Sequence, residues 1–379
     1  MVAPSIVTEQ QVTELFREFN LTGKVTDIDM WTGGHINQTF LVKFRTEIDE
    51  RRYVLQRVNS RVFPRLPELM DNAIRVAEHS VYRLLNDPAT TKKDIERGAL
   101  RFLLTPAGKP YIPDPGKSGD VWRVYPCIEG AEAHMVATRP EEAYEAARGF
   151  GNFQRLLSDL PGGRLHDTIP NFHNTPVRFI HLADAAHKDV KGRRAVVQDS
   201  LDAYLKHREE AGILQREFEA GAFPERTVHN DAKLSNVLLD NNTGKAVCVI
   251  DLDTTMTGYA LHDFGDLVRS ICNPADESET DLSKIQVRLP YFDALVKGYL
   301  ESTRGVLTER EIELLPMAGW VITLEIGARF LTDYLNGDVY FRIKYPEQNL
   351  HRALSQLAFA QRLEEAMPEL NRAVASNKQ

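Results

Sequence analysis

The spacing of apolar positions changes along the chain, and the changes divide it into two parts. Between Thr8 and Asn20, Val12, Leu15, Phe16 and Phe19 share one helical face behind a threonine suited to cap it. From Val25 to Val58 the period shortens to that of strands. The runs VTDIDMW, TFLVKF and RYVLQRV, separated by GGHINQ and the charged TEIDER, predict an antiparallel meander. A helix is expected from Pro67 to Leu85, then strands at ALRFLLT and VWRVYPCI on either side of the turn-rich IPDPGKSGD. After Ile128 the texture is mainly helical. Thr138-Arg-Pro-Glu141 reads as a capping box ahead of the stripe Ala143, Ala146, Ala147, Phe150, Phe153, Leu157 and Leu160. A second long helix, around Met317 to Leu335, should stop at Asn336-Gly337. The expectation is an α+β chain in two lobes: an N-lobe over 1–126 with an antiparallel sheet and a helix, and a larger, mainly helical C-lobe over 127–379.

The segment TVHNDAKLSNVLLDNNTGKAVCVIDLD, Thr227 to Asp253, concentrates the chemistry. His229, Asn230, Asp231, Lys233 and Asn236 precede a strand at Val237 to Leu239, a turn at Asn241 to Lys245, and a strand at Ala246 to Ile250 that ends on Asp251. A hairpin centred near Thr243-Gly244 would pair Asn236 with Asp251 across the ladder. A carboxamide oxygen beside a carboxylate suits Mg²⁺, which accepts a few protein oxygens and completes its shell with water and phosphate. The order Asp-x-Lys-x-x-Asn and then Asp is also that of the protein-kinase catalytic loop. It assigns Asp231 as base, Lys233 as a phosphate-contacting cation, and Asn236 and Asp251 as metal ligands. A plain turn rich in Asp and Asn accounts for 241–244 but not for the rest of the set. The tripeptide Asp263-Phe264-Gly265 mimics a kinase metal motif, yet it lies beyond the TTMTGYALH loop with no strand before it; there, Asp263 is expected to brace the loop.

Composition narrows the partners. A formal charge of -8 with 26% charged residues leaves no basic footprint for a nucleic-acid backbone. Cys127, Cys248 and Cys272 have neither disulfide-framework nor zinc-ligand spacing, the start MVAPSIVTEQQ lacks a signal-peptide pattern, and no apolar run reaches the length of a membrane span. A cytoplasmic protein without nucleic-acid or membrane partners is the expectation; its oligomeric state is left open.

The stretches GGHINQTFLV, YVLQRVNSRVFP, VWRVY, VHNDAKLSNVLLD, VIDLDTTM, HDFGD, and ARFLTDYLNGDVYF followed by KYPEQNL resemble the aminoglycoside phosphotransferase and choline kinase-like superfamily. They span about residues 25 to 355. The narrower GGHIN and RFLTDYLNGDVYF stretches resemble its kinases of N-acetylhexosamines. The resemblance implies a bilobal protein-kinase-like fold, ATP and Mg²⁺ as cofactors, and phosphorylation of a small-molecule sugar at its anomeric hydroxyl.

Gly33 and Gly34 on a tight turn would let backbone amides approach phosphates, although a plain hairpin turn reads the same way. The resemblance adds that this loop covers the site and that His35 contacts the sugar. Arg57 lies on the strand where kinases carry a phosphate-holding lysine, with Glu68 and Glu78 both open as its partner. Pro126, Cys127 and Ile128 run into a hinge, where the resemblance implies an adenine slot. Glu325 and Arg329, four apart on a helix, read alone as a routine surface pair. The resemblance instead makes Arg329 a sugar contact, joined by Asp338 and Tyr340 beyond the helix end, with Asp333 as an alternative holder of Arg329. A hydroxylated acceptor of another kind (choline, ethanolamine, homoserine, an aminoglycoside) and a non-catalytic binding protein are the rival readings.

Overall fold

A computed structural model of the chain describes residues 7–31, 36–116 and 118–378. The loop glycines Gly33 and Gly34, and His35, lie outside the described residues.

The chain divides into two compact units. The smaller runs to Ala131 and takes in two later excursions, Leu160–Ile169 and Ile250–Met256. Its elements are α1 (Glu9–Glu18), β1 (Lys24–Trp31), β2 (Gln38–Arg45), β3 (Glu50–Val58), α2 (Leu66–Asn86), α3 (Lys92–Arg97), β4 (Ile112–Pro113) and β5 (Val121–Pro126). One five-stranded sheet has the order β1-β2-β3-β5-β4, and its pairings are antiparallel. Helix α1 starts at the expected threonine: Thr8 Oγ1 accepts from Gln11 N, and Gln11 Oε1 accepts from Thr8 N. The expected strand at ALRFLLT does not form. Leu103 N donates once to Val124 O, and the fifth strand is instead Ile112–Pro113, inside the stretch read as a turn.

Alternation gives the sheet two faces. Phe40, Val42, Phe44, Tyr53, Leu55, Trp122 and Val124 meet Val12, Leu15 and Phe16 of α1 on one. Val58 and Val121 meet Leu66, Leu69 and Met70 of α2 on the other. Helix α2 also accounts for the two excursions. Asn72 donates through Nδ2 to His166 O (2.8 Å) and Thr255 O (3.1 Å), and its Oδ1 accepts from His166 N at 2.9 Å.

The larger unit covers Glu132–Asp159, Pro170–Val249 and Thr257–Gln379. Its elements, with two short strands that begin at its margins, are β6 (Ala131–Ala133), α4 (Pro140–Leu156), α5 (Thr175–Lys188), α6 (Gln198–Lys206), α7 (Ile213–Glu219), β7 (Arg226–Val228), β8 (Val237–Asp240), β9 (Ala246–Val249), β10 (Met256–Gly258), α8 (Ala260–Ile271), α9 (Leu289–Ser302), α10 (Glu309–Glu313), α11 (Leu315–Asn336), α12 (Gln348–Glu365) and α13 (Met367–Asn377). Helix α4 begins at Pro140 without a side-chain cap. The acid reaching back is Glu142, which accepts from Thr138 N at 2.7 Å, and not Glu141. Helix α11 ends as its sequence predicts, at Gly337 with φ 95°.

Helices α8 and α11 touch through small residues. A Cβ on Gly265 would stand 2.5 Å from Ala318 O, and one on Gly319 would stand 2.6 Å from a Val268 methyl. The glycine of the Asp263-Phe264-Gly265 tripeptide therefore serves close helix packing. Gly265→Ala should destabilise the protein by about 1–3 kcal/mol, since overpacking against backbone outweighs the ~1 kcal/mol gain in helix propensity. A melting temperature equal to that of the parent chain would contradict this packing account.

Candidate active site

Strand β7 delivers the chain into His229-Asn230-Asp231, of which the first two residues are buried and Asn230 takes a left-handed backbone with φ 64°. Asparagine tolerates that conformation better than most residues. The turn points successive amides inward, where water does not reach, so they need an internal acceptor. Asp263 of α8 supplies it, accepting from His229 N at 2.9 Å, Asn230 N at 2.8 Å and Gln154 Nε2 of α4 at 2.8 Å. Burial pushes the Asp263 carboxyl up from its usual range, against the pull of His229 and of these donors. The His229 ring fills the space behind, edge-on to Phe150 and Phe153 of α4 at 5.3 and 5.9 Å. Asp263 thus braces the His229-Asn230 segment.

Asp231, Lys233 and Asn236 converge. Lys233 Nζ lies 2.9 Å from Asp231 Oδ2 and 3.2 Å from Oδ1. Asn236 Nδ2 donates to Asp231 O at 2.8 Å and to Asp231 Oδ2 at 2.9 Å. Desolvation works against ionisation of Asp231, but the Lys233 ammonium, His229 and the Asn236 amide outweigh it and hold the carboxyl below the usual range. Its side chain is 30% exposed, so an ionised oxygen is within reach of a reactant. With both amide hydrogens of Asn236 given to Asp231, its carboxamide oxygen is the atom left to meet a cation, which fits a hard ion such as Mg²⁺.

The hairpin forms with a different register from the expected one. Val237 pairs with Val249 and Leu238 with Cys248, and a bulge then sets Leu239 opposite Ala246. Asn236, in a 3-10 turn, and Asp251, left-handed with φ 61°, both stand outside the ladder. They flank it but are not a cross-strand pair. The bulge shifts the strands by one residue, which symmetric counting from the turn does not anticipate.

On α11, Glu325 is fully buried rather than a surface partner of Arg329. It accepts from Thr175 Oγ1 at 2.6 Å and lies 2.8 Å from His173 Nδ1. Burial opposes its charge, but His173, Arg329 and Thr175 bring its pKa down to about 2.

Arg329, half-buried one turn further on, packs against aromatic rings. Its guanidinium carbon lies 4.9 Å from the ring centre of Phe172, 5.6 Å from Phe341 and 5.9 Å from Tyr340. Among the described residues it has no carboxylate within ion-pair distance.

Asp333 does not hold Arg329. It accepts from the backbone N–H groups of Val339, Tyr340 and Phe341 at 2.8–2.9 Å and from Asn349 Nδ2 at 2.9 Å, and so shapes the loop that presents Tyr340. Asp338 is taken by Arg193 (2.6 Å) and Asn349 (2.9 Å); Val339 and Tyr340 are exposed on the loop, and Tyr340 lies beside Arg329. Sequence reasoning missed His173, Thr175 and Asn349.

In the smaller unit Arg57 is on the α1 face, opposite Trp122. It is paired with Asp114 at 3.1 Å and Asp120 at 2.9 Å, and not with Glu68 or Glu78. Two carboxylates thus lie against its guanidinium. The α2 face carries Gln56 on β3 and, opposite it, Arg123 on β5. Arg123 donates to Gln56 Oε1 at 2.7 and 3.0 Å and to Asp253 Oδ1 at 2.5 Å. Pro126 ends β5, and Cys127 N donates to Arg52 O at 2.9 Å, so that amide is not free to read adenine. The structure gives no separate role to Ile128.

The model of the phosphotransferase enzyme family known as APH matches residues 31–285, and the chain belongs to that family. Its fold is the bilobal kinase-like one, with an antiparallel sheet in the N-lobe and a helical C-lobe. Among solved structures it is similar to an aminoglycoside phosphotransferase from Alicyclobacillus acidocaldarius (14% identity, TM-score 0.60, covering 99% of this chain and 98% of that one). It is similar also to a microcompartment-associated aminopropanol kinase (14%, 0.58, 96% and 98%) and to a spectinomycin phosphotransferase in complex with ADP and spectinomycin (12%, 0.51, 99% and 99%). At these identities the likeness is one of fold. Among the described residues no helix is long and apolar enough to cross a membrane.

Asp263→Ala should lower the free energy of unfolding by about 3 kcal/mol or more, because it strands three buried donors at about 1–3 kcal/mol each. A denaturant midpoint unchanged from the parent chain would refute the bracing role.

Proposed function

We propose that this phosphotransferase moves the γ-phosphoryl group of ATP to the anomeric hydroxyl of an N-acetylhexosamine, N-acetylglucosamine or N-acetylgalactosamine, giving the sugar 1-phosphate and ADP. The observation that carries the reading is the convergence of Asp231, Lys233 and Asn236 at the end of a segment braced by Asp263. The acceptor oxygen attacks the γ-phosphorus, the bond to the β-phosphate oxygen breaks, and the hydroxyl proton passes to Asp231. Lys233 offsets charge on the transferred group. As a phosphoryl group draws the ammonium away, Asp231 loses part of what depresses its pKa and becomes a stronger base. Asn236, through its carboxamide oxygen, and Asp251 would hold Mg²⁺, which when bound neutralises charge on the nucleotide phosphates.

The acceptor half rests on Arg329, Tyr340 and, from sequence alone, His35. A guanidinium packed among rings and, among the described residues, without a carboxylate within ion-pair distance offers N–H donors to hydroxyl and carbonyl oxygens. It disfavours an ammonium-bearing acceptor, which needs acidic or aromatic surfaces not already occupied by a cation.

Incubation with ATP, Mg²⁺ and a panel of hexosamines, choline, ethanolamine and aminoglycosides should give a product whose phosphorus couples to the anomeric proton. Phosphate on an amine-bearing acceptor alone would overturn the sugar assignment. Asp231→Asn should lower kcat by about 10²–10⁴-fold with little change in ATP affinity; near-normal turnover would remove Asp231 as base.

A further inference from the structure

His173 stands just ahead of α5 and belongs to none of the motifs assigned above. Its side chain is 3% exposed, and both ring nitrogens are engaged. Nε2 lies 3.0 Å from the carbonyl oxygen of Asn230, and Nδ1 lies 2.8 Å from Glu325 Oε1. A carbonyl oxygen can only accept, so Nε2 carries a hydrogen. Glu325, also receiving the Thr175 hydroxyl and with its pKa near 2, is an ionised acceptor, so Nδ1 carries one too. The ring is an imidazolium. Two groups around it bear on this charge state. Arg329 on α11 repels the positive charge, while His262 of α8, 5.0 Å away ring to ring, is driven by burial down to about 3 and stays neutral. Glu325 outweighs the burial penalty and Arg329, and the His173 pKa lies above the ordinary value.

The carbonyl that receives Nε2–H belongs to the residue immediately before Asp231. Asp263 holds the amides of His229 and Asn230, and His173 holds the carbonyl of Asn230. Asn230 is therefore held at its N–H by Asp263 of α8 and at its carbonyl by His173, just ahead of α5, while the N–H of the peptide leading into Asp231 donates to His229 Nδ1 at 3.3 Å. The geometry points to His173 and Glu325 as positioning residues for phosphoryl transfer: an imidazolium, kept charged by a carboxylate of the helix that also carries Arg329, fixes the Asn230–Asp231 peptide and so aims the Asp231 carboxylate. This rests on the reading of Asp231 as the base. Neither residue touches a reacting atom; both act through the backbone.

The sign of the pH dependence follows. A raised folded-state pKa means the charged ring is fully present below the ordinary histidine value and is lost only as pH rises through the higher one. Turnover should show an alkaline limb that tracks His173.

The test uses the full chain with ¹⁵N-labelled histidine. As pH is raised, His173 should still show two protonated ring nitrogens at a pH where the exposed histidines of the same chain have become neutral. A neutral signature overturns the proposal on the wild-type protein alone, whatever the variants do. His173→Gln and Glu325→Gln, checked for folding by circular dichroism, should lose about 10²-fold in kcat with ATP and N-acetylglucosamine, as expected for a misaimed group. KM for ATP should change less than about twofold, and the alkaline limb should vanish in His173→Gln. A kcat within twofold of wild type in both variants overturns the positioning role. If wild type phosphorylates no hexosamine, slow ADP release from ATP in water reads the same variants. Loss in Asp231→Asn without loss in His173→Gln then sinks the positioning role alone, whereas an active Asp231→Asn sinks the base assignment beneath it.

Discussion

Without an acceptor for the amide hydrogens of His229 and Asn230, the segment that carries Asp231 has no defined shape. A left-handed residue at Asn230 folds the backbone on itself and turns its donors into a volume closed by Phe150 and Phe153. Inside, a donor left alone is expensive, and a carboxylate that takes two of them is correspondingly selective for one backbone conformation. Asp263 is placed by α8, α8 is seated on α11 through Gly265 and Gly319, and α4 adds Gln154 to the same carboxylate. Helix packing is thereby converted into the position of the Asp231 side chain, the proposed base.

The smaller unit uses the same logic with the opposite sign. Arg123 is almost wholly buried, and such a cation persists only with partners for its charge and its hydrogens. Asp253 takes the charge, and Gln56 takes two of the donors. The other oxygen of Asp253 accepts from Asn37 at 2.6 Å, and Asn37 in turn accepts from Asn59 N at 3.1 Å. One carboxylate therefore ties the start of β2, the end of β3 and β5 to the turn that follows the left-handed Asp251. Replacing the pair by apolar side chains could be neutral for stability, but it would untie three chain segments that the pair holds to one another.

What could be read in the sequence follows the range of the forces involved. Local signals were legible: the Thr8 box, the Gly337 stop and the hairpin turn each depend on residues within a few positions. The kinase-like order of Asp231, Lys233 and Asn236 was legible because it too is local. The pairing of Asn236 with Asp251 was not, because a bulge after Leu238 is invisible to counting from a turn. Arg57 was assigned from its strand without asking which face it shares. Period-two alternation from Leu55, a core residue on the α1 side, already put Arg57 there and Gln56 on the other. Glu325 looked like half of a surface pair because Arg329 is four residues on. The stretch MAGWVITLEIGARFL around it is apolar on every side, which marks a buried helix and an acid in need of a partner. That partner, His173, lies in a polar loop more than a hundred residues away, and nothing in its neighbourhood marks it.

The arrangement around Arg329 is where the proposed acceptor preference would be set. The Arg329 guanidinium packs against Phe172, Phe341 and Tyr340, while Asp333 spends its carboxylate on the backbone of the loop that brings Tyr340 and Phe341 there. Arg178, whose donors go to Phe172 O, lies close enough for Arg329 to depress its pKa further below the level that burial sets. Two cations in one neighbourhood, with Asp333 and Asp338 both committed elsewhere, leave a positive potential that the buried Glu325 carboxylate, itself engaged by His173 and Thr175, offsets in part. An acceptor bearing an ammonium would have to shed water against that potential. A neutral ring with hydroxyls and an amide carbonyl would instead find oriented donors already desolvated on one face. Under the proposed sugar reading, discrimination would come from repulsion of the wrong acceptor as much as from contacts with the right one.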